Sequence, residues 1–161
     1  MSTAVVGQTN SNSNAARVIF WAGLIAGTLD ITGACVVAWL RAGVTPVRVF
    51  QSVASGVFGA ASFQGGTKTA AFGLLFHFII ATIWGAVYYF ASRKLPFLIN
   101  QTVIAGFFYG VVVHLFMNWV VIPLSNVPKR PATLSGQIIG MAIIIVCVGL
   151  PIATIVRRFS K

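Results

Sequence analysis

The segment VIFWAGLIAGTLDITGACVVAWL, residues 18–40, decides the fold of this chain. As a helix rising 1.5 Å per residue, it is long enough to cross the roughly 30 Å hydrocarbon core of a bilayer. Its middle carries Asp30, the only acidic residue among the 161. An ionisable group at that depth is costly unless a partner, a proton or water meets it, so Asp30 is a candidate functional residue.

The composition indicates an integral membrane protein. The chain is 58% hydrophobic and 7% charged, whereas soluble domains carry about 25% charged residues. The formal net charge of +10 could suggest nucleic acid. However, the cations stand at or between the ends of apolar segments, where they anchor spans at the headgroup level. We therefore expect no nucleic-acid partner; the expected partners are the lipid bilayer, a second copy or another membrane protein.

The hydrophobic pattern predicts an all-α fold, an integral membrane four-helix bundle. A polar N-terminus over residues 1–16 is expected to be disordered, and residues 17–161 form a single membrane domain. The predicted spans cover residues 18–40, 70–91, 102–122 and 134–155. Segment 46–63 follows a Thr45-Pro46 helix start and is too short to span. It predicts an amphipathic helix that either lies in the interface or re-enters the membrane part-way.

Small residues one turn apart mark the packing face of each span. In lipid, close backbone approach through such residues drives helix association, which favours a tight bundle. The pairs are Gly23 and Gly27, Ala81 and Gly85, Gly106 and Gly110, and Gly136 and Gly140.

Polar residues follow the same faces and lie in one half of the membrane. Measured from the side of the first and third loops, Asn118 and Gln137 lie at roughly 5 Å, His77 at roughly 10 Å, His114 at roughly 12 Å and Asp30 at roughly 15 Å. The sequence therefore predicts a one-sided polar pocket that segment 46–63 could cap. Each residue also has a structural interpretation, since interior histidines and amides often only satisfy hydrogen bonds between helices.

Three functions fit this pattern, and none of them is enzymatic. A carboxylate and two imidazoles could bind or conduct protons, a cation or a small solute. Alternatively, the chain is an assembly factor or small accessory subunit whose polar face packs on a partner. As a third alternative, His77 and His114 could hold haem b between neighbouring spans, although no other cofactor and no metal site is expected. No nucleophile, second carboxylate or phosphate-binding loop indicates an enzyme.

Short motifs along the chain resemble the YagU-like bacterial inner-membrane proteins. They are Gly23–Gly27, the span from His77 to Tyr88 with Gly85, Ala105-Gly106, Pro123-Leu124 and Arg157-Arg158. The chain differs from that family in a shorter stretch between its first two spans and in the residues around Gln137. The resemblance implies a multi-pass protein of the bacterial inner membrane and assigns no functional residue. The cations divide almost evenly between the two sides, and the Arg157-Arg158 pair favours cytoplasmic N- and C-termini.

Overall fold

The computed structural model describes residues 3–129 and 133–159, with side chains placed from Asn14 onward. Within these ranges the chain is helical, without strands. Four helices are long and apolar enough to cross a membrane, which confirms the four predicted spans: Asn14–Ala42, Gly66–Lys94, Thr102–Leu124 and Leu134–Phe159. The expected disorder of residues 1–16 stays a prediction, because residues 1–2 and the side chains before Asn14 lie outside the described part.

Over residues 3–129 and 133–159, six helices follow one another, and the fourth is a single short turn. They are α1 (Thr3–Ala42), α2 (Pro46–Phe58), α3 (Gly66–Lys94), α4 (Phe97–Asn100), α5 (Thr102–Leu124) and α6 (Leu134–Phe159). A 3₁₀ turn, Gly59–Gln64, continues α2 towards α3. Because successive spans run in opposite directions, the C-termini of α1 and α5 lie with α2 and the N-termini of α3 and α6. We call this side of the molecule the α2 end, and the other side the far end.

Local sequence explains where the short elements begin and end. Thr45 is extended (φ −72°, ψ 154°) and Pro46 occupies the first turn of α2, where a missing N–H costs nothing. Gly59 has φ 60° and stops α2, since few residues other than glycine adopt that conformation readily. The Thr133 hydroxyl accepts a hydrogen bond from the Gly136 N–H and caps α6.

Both α5 and α6 contain a wide π-helical turn just before an internal proline. The turn Met117–Val121 precedes Pro123, and Ile145–Gly149 precedes Pro151. A proline inside a helix removes one N–H and clashes with the carbonyl four residues back, and a π turn is one way to accommodate it. The hydrophobic pattern alone predicted two regular spans here.

Glycines allow the spans to pack in two close pairs. Between α1 and α3, a Cβ added to Gly23 would lie 2.6 Å from the Thr82 hydroxyl oxygen. Between α5 and α6, a Cβ added to Gly110 would lie 2.6 Å from the Cα of Ile145. The pairs meet where α1 packs on α6. Aromatic contacts of Tyr109 with Trp84 and Tyr88 join α5 to α3.

The tightest hydrophobic core lies at the far end. Tyr88, Ile152 and Val156 are completely buried there, and the Tyr88 hydroxyl donates to the carbonyl of Leu98 at 2.8 Å. The core residues are Val18, Ala22, Ala26, Tyr88, Tyr89, Val148, Ile152, Ala153 and Val156. None of the five predicted pocket residues belongs to this core.

Candidate functional site

Three predicted site residues form a closed hydrogen-bonded ring between α5 and α6. The Nε2–H of His114 donates to Gln137 Oε1 at 3.0 Å, and Gln137 Nε2 donates to Asn118 Oδ1 at 3.4 Å. Asn118 Nδ2 then donates to the carbonyl of His114 at 2.9 Å. His114 is 4% exposed. We call His114, Asn118 and Gln137 the amide ring; with the Gln137 oxygen facing the imidazole, the proton of His114 lies on Nε2, since an amide oxygen can only accept.

The imidazole of His114 lies against Gly140 of α6 at ordinary contact distance. A Cβ on Gly140 would lie 3.4 Å from Cε1 of the imidazole. Gln137 is one turn before Gly140, so its amide reaches across the same helix face. Asn118 lies within the wide turn Met117–Val121. Such turns often occur at functional sites in helices, since they redirect side chains.

A cavity of about 930 Å³ opens beside the amide ring at the α2 end. This volume is in the range of small-molecule binding sites. Helix α5 supplies more of the wall than any other element, and the wall is mainly apolar. The lining residues are Ser52, Ser55, Phe63, His114, Leu115, Asn118, Trp119, Ile122, Pro123, Ser125, Val127, Pro128, Lys129, Gln137 and Met141.

Helix α2 forms one wall of the cavity and is fixed at two places. On one side, Gly73 of α3 receives the backbone of Phe50, so closely that a Cβ on Gly73 would overlap that carbonyl. On the other side, Asn126 donates from its backbone N–H to Gly56 O and from Nδ2 to Val57 O, each at 3.0 Å. Helix α2 thus bridges α3 and the loop after α5.

Asp30 and His77 form a second, separate group between α1 and α3. The Nε2–H of His77 donates to the Gly27 carbonyl at 2.9 Å, while the Asp30 carboxylate is 4.0 Å from the same nitrogen. That distance allows electrostatic attraction but is too long for a hydrogen bond. The Asp30 side chain is 22% exposed and the His77 side chain is 13% exposed. Among the described residues, no hydrogen bond reaches the carboxylate.

The structure therefore distributes the five predicted pocket residues over two groups. The cavity is lined by His114, Asn118 and Gln137, whereas Asp30 and His77 do not line it. All five lie on the sides of the spans that face other helices. One pocket shared by all five remains a prediction.

The predicted packing residues occupy different kinds of contact. Gly23, Gly27, Ala81 and Gly85 lie between α1 and α3, and Gly106 and Gly110 lie between α5 and α6. Gly140 receives the His114 ring. A Cβ on Gly136 would meet only the Thr133 hydroxyl of the same helix start. Gly149, which the pattern did not single out, packs against the Gly106 carbonyl.

Each histidine uses its Nε2 in a contact with the protein. His77 bonds Gly27 and His114 bonds Gln137, so haem ligation through either Nε2 would require that bond to break. Within the described ranges, no group of three or more His, Cys, Asp or Glu side chains could hold a metal ion.

The cations at the α2 end have no carboxylate partner in the described part of the chain. Lys129 lines the cavity and is exposed. The Arg48 guanidinium lies 4.8 Å from the ring centre of Phe63 and donates to the Phe63 carbonyl at 3.2 Å. Phe63 also lines the cavity, so two positive charges lie at its edge or just behind it.

Sequence reasoning did not find the residues that α2 and the loop contribute. Ser52 and Ser55 are three residues apart and therefore share one face of α2. That spacing was the available sequence signal. It does not show that this face lines a cavity, because that depends on how α2 folds back onto the other helices. Lys129 follows Pro128 in a loop, where no periodic pattern indicates which way a side chain points.

Comparison with known proteins gives no match, whether to a family model, a curated protein or a solved structure. The resemblance to YagU-like proteins therefore stays a prediction from short motifs. Any functional conclusion has to come from the geometry of the cavity and of the two polar groups.

Proposed function

We propose that this chain is a non-enzymatic multi-pass membrane protein that binds a small solute in the cavity at the α2 end. The observation that carries the proposal is the cavity itself, about 930 Å³ in volume and bordered by the amide ring. The mutual hydrogen bonds of the amide ring hold the shape of this side, while the apolar wall of α5 provides area for a ligand. Few polar groups on a concave, mostly apolar surface are typical of small-molecule sites.

Packing at the far end favours binding over conduction. Tyr88, Ile152 and Val156 fill the space between spans there with no exposed surface. A solute or proton that entered from the α2 end would have to cross this core. Conduction of protons or a cation through Asp30 and His77 would need the core to open. Proton flux into liposomes that disappears in Asp30→Asn would support conduction instead.

Native mass spectrometry of the purified chain tests the binding proposal. The protein is extracted from its membrane into nanodiscs, released in the spectrometer and examined for a bound small molecule. Ser52→Trp places a large ring into the cavity and is expected to remove the adduct. Ala60→Trp adds the same ring at an exposed position outside the cavity lining and should keep it.

An adduct that survives Ser52→Trp in a correctly folded protein would show that the ligand binds elsewhere. Folding is checked by size exclusion and by the melting temperature of both variants. If no adduct is found in the wild type, titration with candidate solutes in nanodiscs replaces the first readout. The proposal would be overturned if no candidate solute showed saturable binding that Ser52→Trp blocks.

The membrane placement belongs to the same proposal. The chain is placed in a bacterial inner membrane with both termini in the cytoplasm, as the YagU-like resemblance and the Arg157-Arg158 pair favour. Helix α2 is placed in the interface, where it packs on α3 and closes one side of the cavity. Labelling of single cysteines at Ser52 and Ser125 from each side of sealed vesicles tests this orientation.

A role as an accessory subunit is the second candidate, supported by an apolar cleft on the other side of α5. This cleft, of about 440 Å³, lies between α3 and α5 and includes Ile83, Trp84 and Phe116 in its lining. A partner helix could fill it, and a stoichiometric protein that co-purifies in mild detergent would support this role. Haem binding is the third candidate, and an absorbance band of haem in the purified chain would establish it.

A further inference from the structure

The charges around the cavity have one sign. Among the described residues, Lys129 is the only Lys, Arg or Asp side chain in the lining, and Asp30, the only acidic residue of the sequence, does not line it. Arg48 adds a second positive charge behind Phe63. A cation in this cavity would meet repulsion and no carboxylate, whereas an anion would find an unpaired ammonium at the rim.

The polar atoms deeper in the cavity already have partners. His114, Asn118 and Gln137 bond to one another, and the Ser52 and Ser55 hydroxyls donate to backbone carbonyls of α2 at 2.6 and 2.7 Å. A polar ligand therefore has few unsatisfied groups to meet inside. Most of the interior offers hydrocarbon or ring surface, mainly from Leu115, Trp119, Ile122 and Met141.

We infer that the ligand is an anionic amphiphile: an acidic headgroup at Lys129 joined to a single alkyl chain that lies along the α5 wall. This inference rests on the proposed binding in the cavity and names the chemical class of its ligand. The cavity lies beside the last turns of α5 and the first turns of α6, which is the depth at which membrane-dissolved amphiphiles place their headgroups. A single-chain carboxylate satisfies both the charge at the rim and the apolar wall.

Fluorescence quenching by brominated probes tests the ligand class. Trp119 lines the cavity, so a chain in which Trp21, Trp39 and Trp84 are replaced by Phe reports on it alone. This chain, in phosphatidylcholine nanodiscs, is titrated with dibromostearate and with the uncharged dibromostearyl alcohol. We expect saturable quenching with an affinity about fivefold or more higher for the carboxylate, as one nearby Lys favours an anion by about that factor.

Two charge variants and a reference chain separate the outcomes. Lys129→Gln is expected to remove the preference for the carboxylate without changing the affinity for the alcohol. Lys68→Gln, which neutralises a cation at the same end but outside the cavity, should leave both affinities unchanged. A chain that keeps only Trp39 measures unspecific partition of the probes into the bilayer.

Each result has a definite meaning. Equal affinity for both probes, or a carboxylate preference that survives Lys129→Gln, overturns the inference while cavity binding stands. If neither probe quenches Trp119 more strongly than Trp39, the anionic amphiphile is excluded. Cavity binding itself would be wrong if Ser52→Trp blocked the binding of none of the other candidate solutes.

Discussion

The Nε2–H of His77 donates to the carbonyl oxygen of Gly27 at 2.9 Å and thereby links α3 to α1. The Gly27 oxygen belongs to a helical peptide, and its second lone pair accepts this bond. Such a bond between spans contributes about 0.6 kcal/mol on average and about 1.7 kcal/mol at most. His77→Leu is therefore expected to destabilise the bundle by about 1 kcal/mol in reversible unfolding experiments in bicelles.

His77→Gln is the matched variant, since its amide N–H can donate to the same carbonyl and should recover much of the loss. If His77→Leu is as stable as the wild type, the bond between Gly27 and His77 contributes nothing measurable.

Asp30→Asn is expected to leave the stability unchanged or to raise it. The carboxylate accepts no hydrogen bond from the described residues, and its nearest charged partner, His77, is 4.0 Å away. A neutral amide of the same shape costs less to keep at this depth of a membrane. Unfolding in bicelles measures the effect. A loss of more than about 1 kcal/mol would mean that the carboxylate has a strong structural partner.

Gly110→Ala is expected to destabilise the pair of α5 and α6 by about 1–3 kcal/mol, the usual cost of overpacking. The added methyl group would lie 2.6 Å from the Cα of Ile145, and backbone cannot rotate away as a side chain can. Bicelle unfolding again gives the free energy of unfolding.

Gly33→Ala is the control for Gly110→Ala, because its new methyl group would meet Ile143 at an ordinary 3.4 Å. Gly33→Ala should therefore leave the stability unchanged. The two variants can be compared directly because both glycines lie in helical spans. Equal losses of stability in the two variants would show that the cost of Gly110→Ala does not come from the close approach of α5 to α6.

Hydrophobic length and small-residue spacing were sufficient to predict the spans. Residues 18–40 form a helix because water is absent from the bilayer core and every backbone group must be satisfied internally. The same spacing placed Gly23 and Gly110 on sides that other spans cover. Helical rise alone placed Asn118 and Gln137 at one depth and His114 about one turn deeper, and the amide ring joins these three residues.

Tertiary arrangement could not be predicted from the periodicity. Whether His77 and His114 share one pocket depends on which spans are neighbours, and periodicity gives a face but no partner. The hydrophobic pattern predicted a regular fourth span and did not indicate the π turn that precedes Pro151. The path of α2 depends on Gly73, whose missing side chain makes room for the Phe50 carbonyl, and a lone glycine in a span indicates no specific contact.

Gln137→Leu is expected to lower stability by about 1 kcal/mol while leaving the affinity for the anionic probe unchanged. The leucine fills a similar volume but leaves His114 Nε2–H and Asn118 Oδ1 without their partner. Since the inferred headgroup binds at Lys129, the amide ring supports the wall without touching the charge. Bicelle unfolding and Trp119 quenching give the two values.

Gln101→Leu, at an exposed position before α5, controls for the change in hydrophobicity. A large loss of probe affinity in Gln137→Leu, with stability intact, would instead place the headgroup at the amide ring.

Gly73→Ala is expected to displace α2 and to open the cavity. The new methyl group would overlap the Phe50 carbonyl and lie 3.2 Å from the Ala54 nitrogen, so α2 has to move away from α3. With Cys35 and Cys147 replaced by Ala, a cysteine at Ser55, which lines the cavity and is 1% exposed, reports on the change through its reaction with a water-soluble maleimide. We expect the reaction to be about fivefold faster or more, since overpacking costs about 1–3 kcal/mol and each 1.4 kcal/mol is tenfold.

Ala71→Val serves as the control, because it also adds carbon to α3 but at an exposed position. Its labelling rate should equal that of the parent chain. The hydrogen bonds from Asn126 to Gly56 and Val57 hold the other side of α2, so a combined Gly73→Ala and Asn126→Ala chain should react faster still. Unchanged labelling in both Gly73→Ala chains would mean that the approach of α2 to α3 does not control access to Ser55.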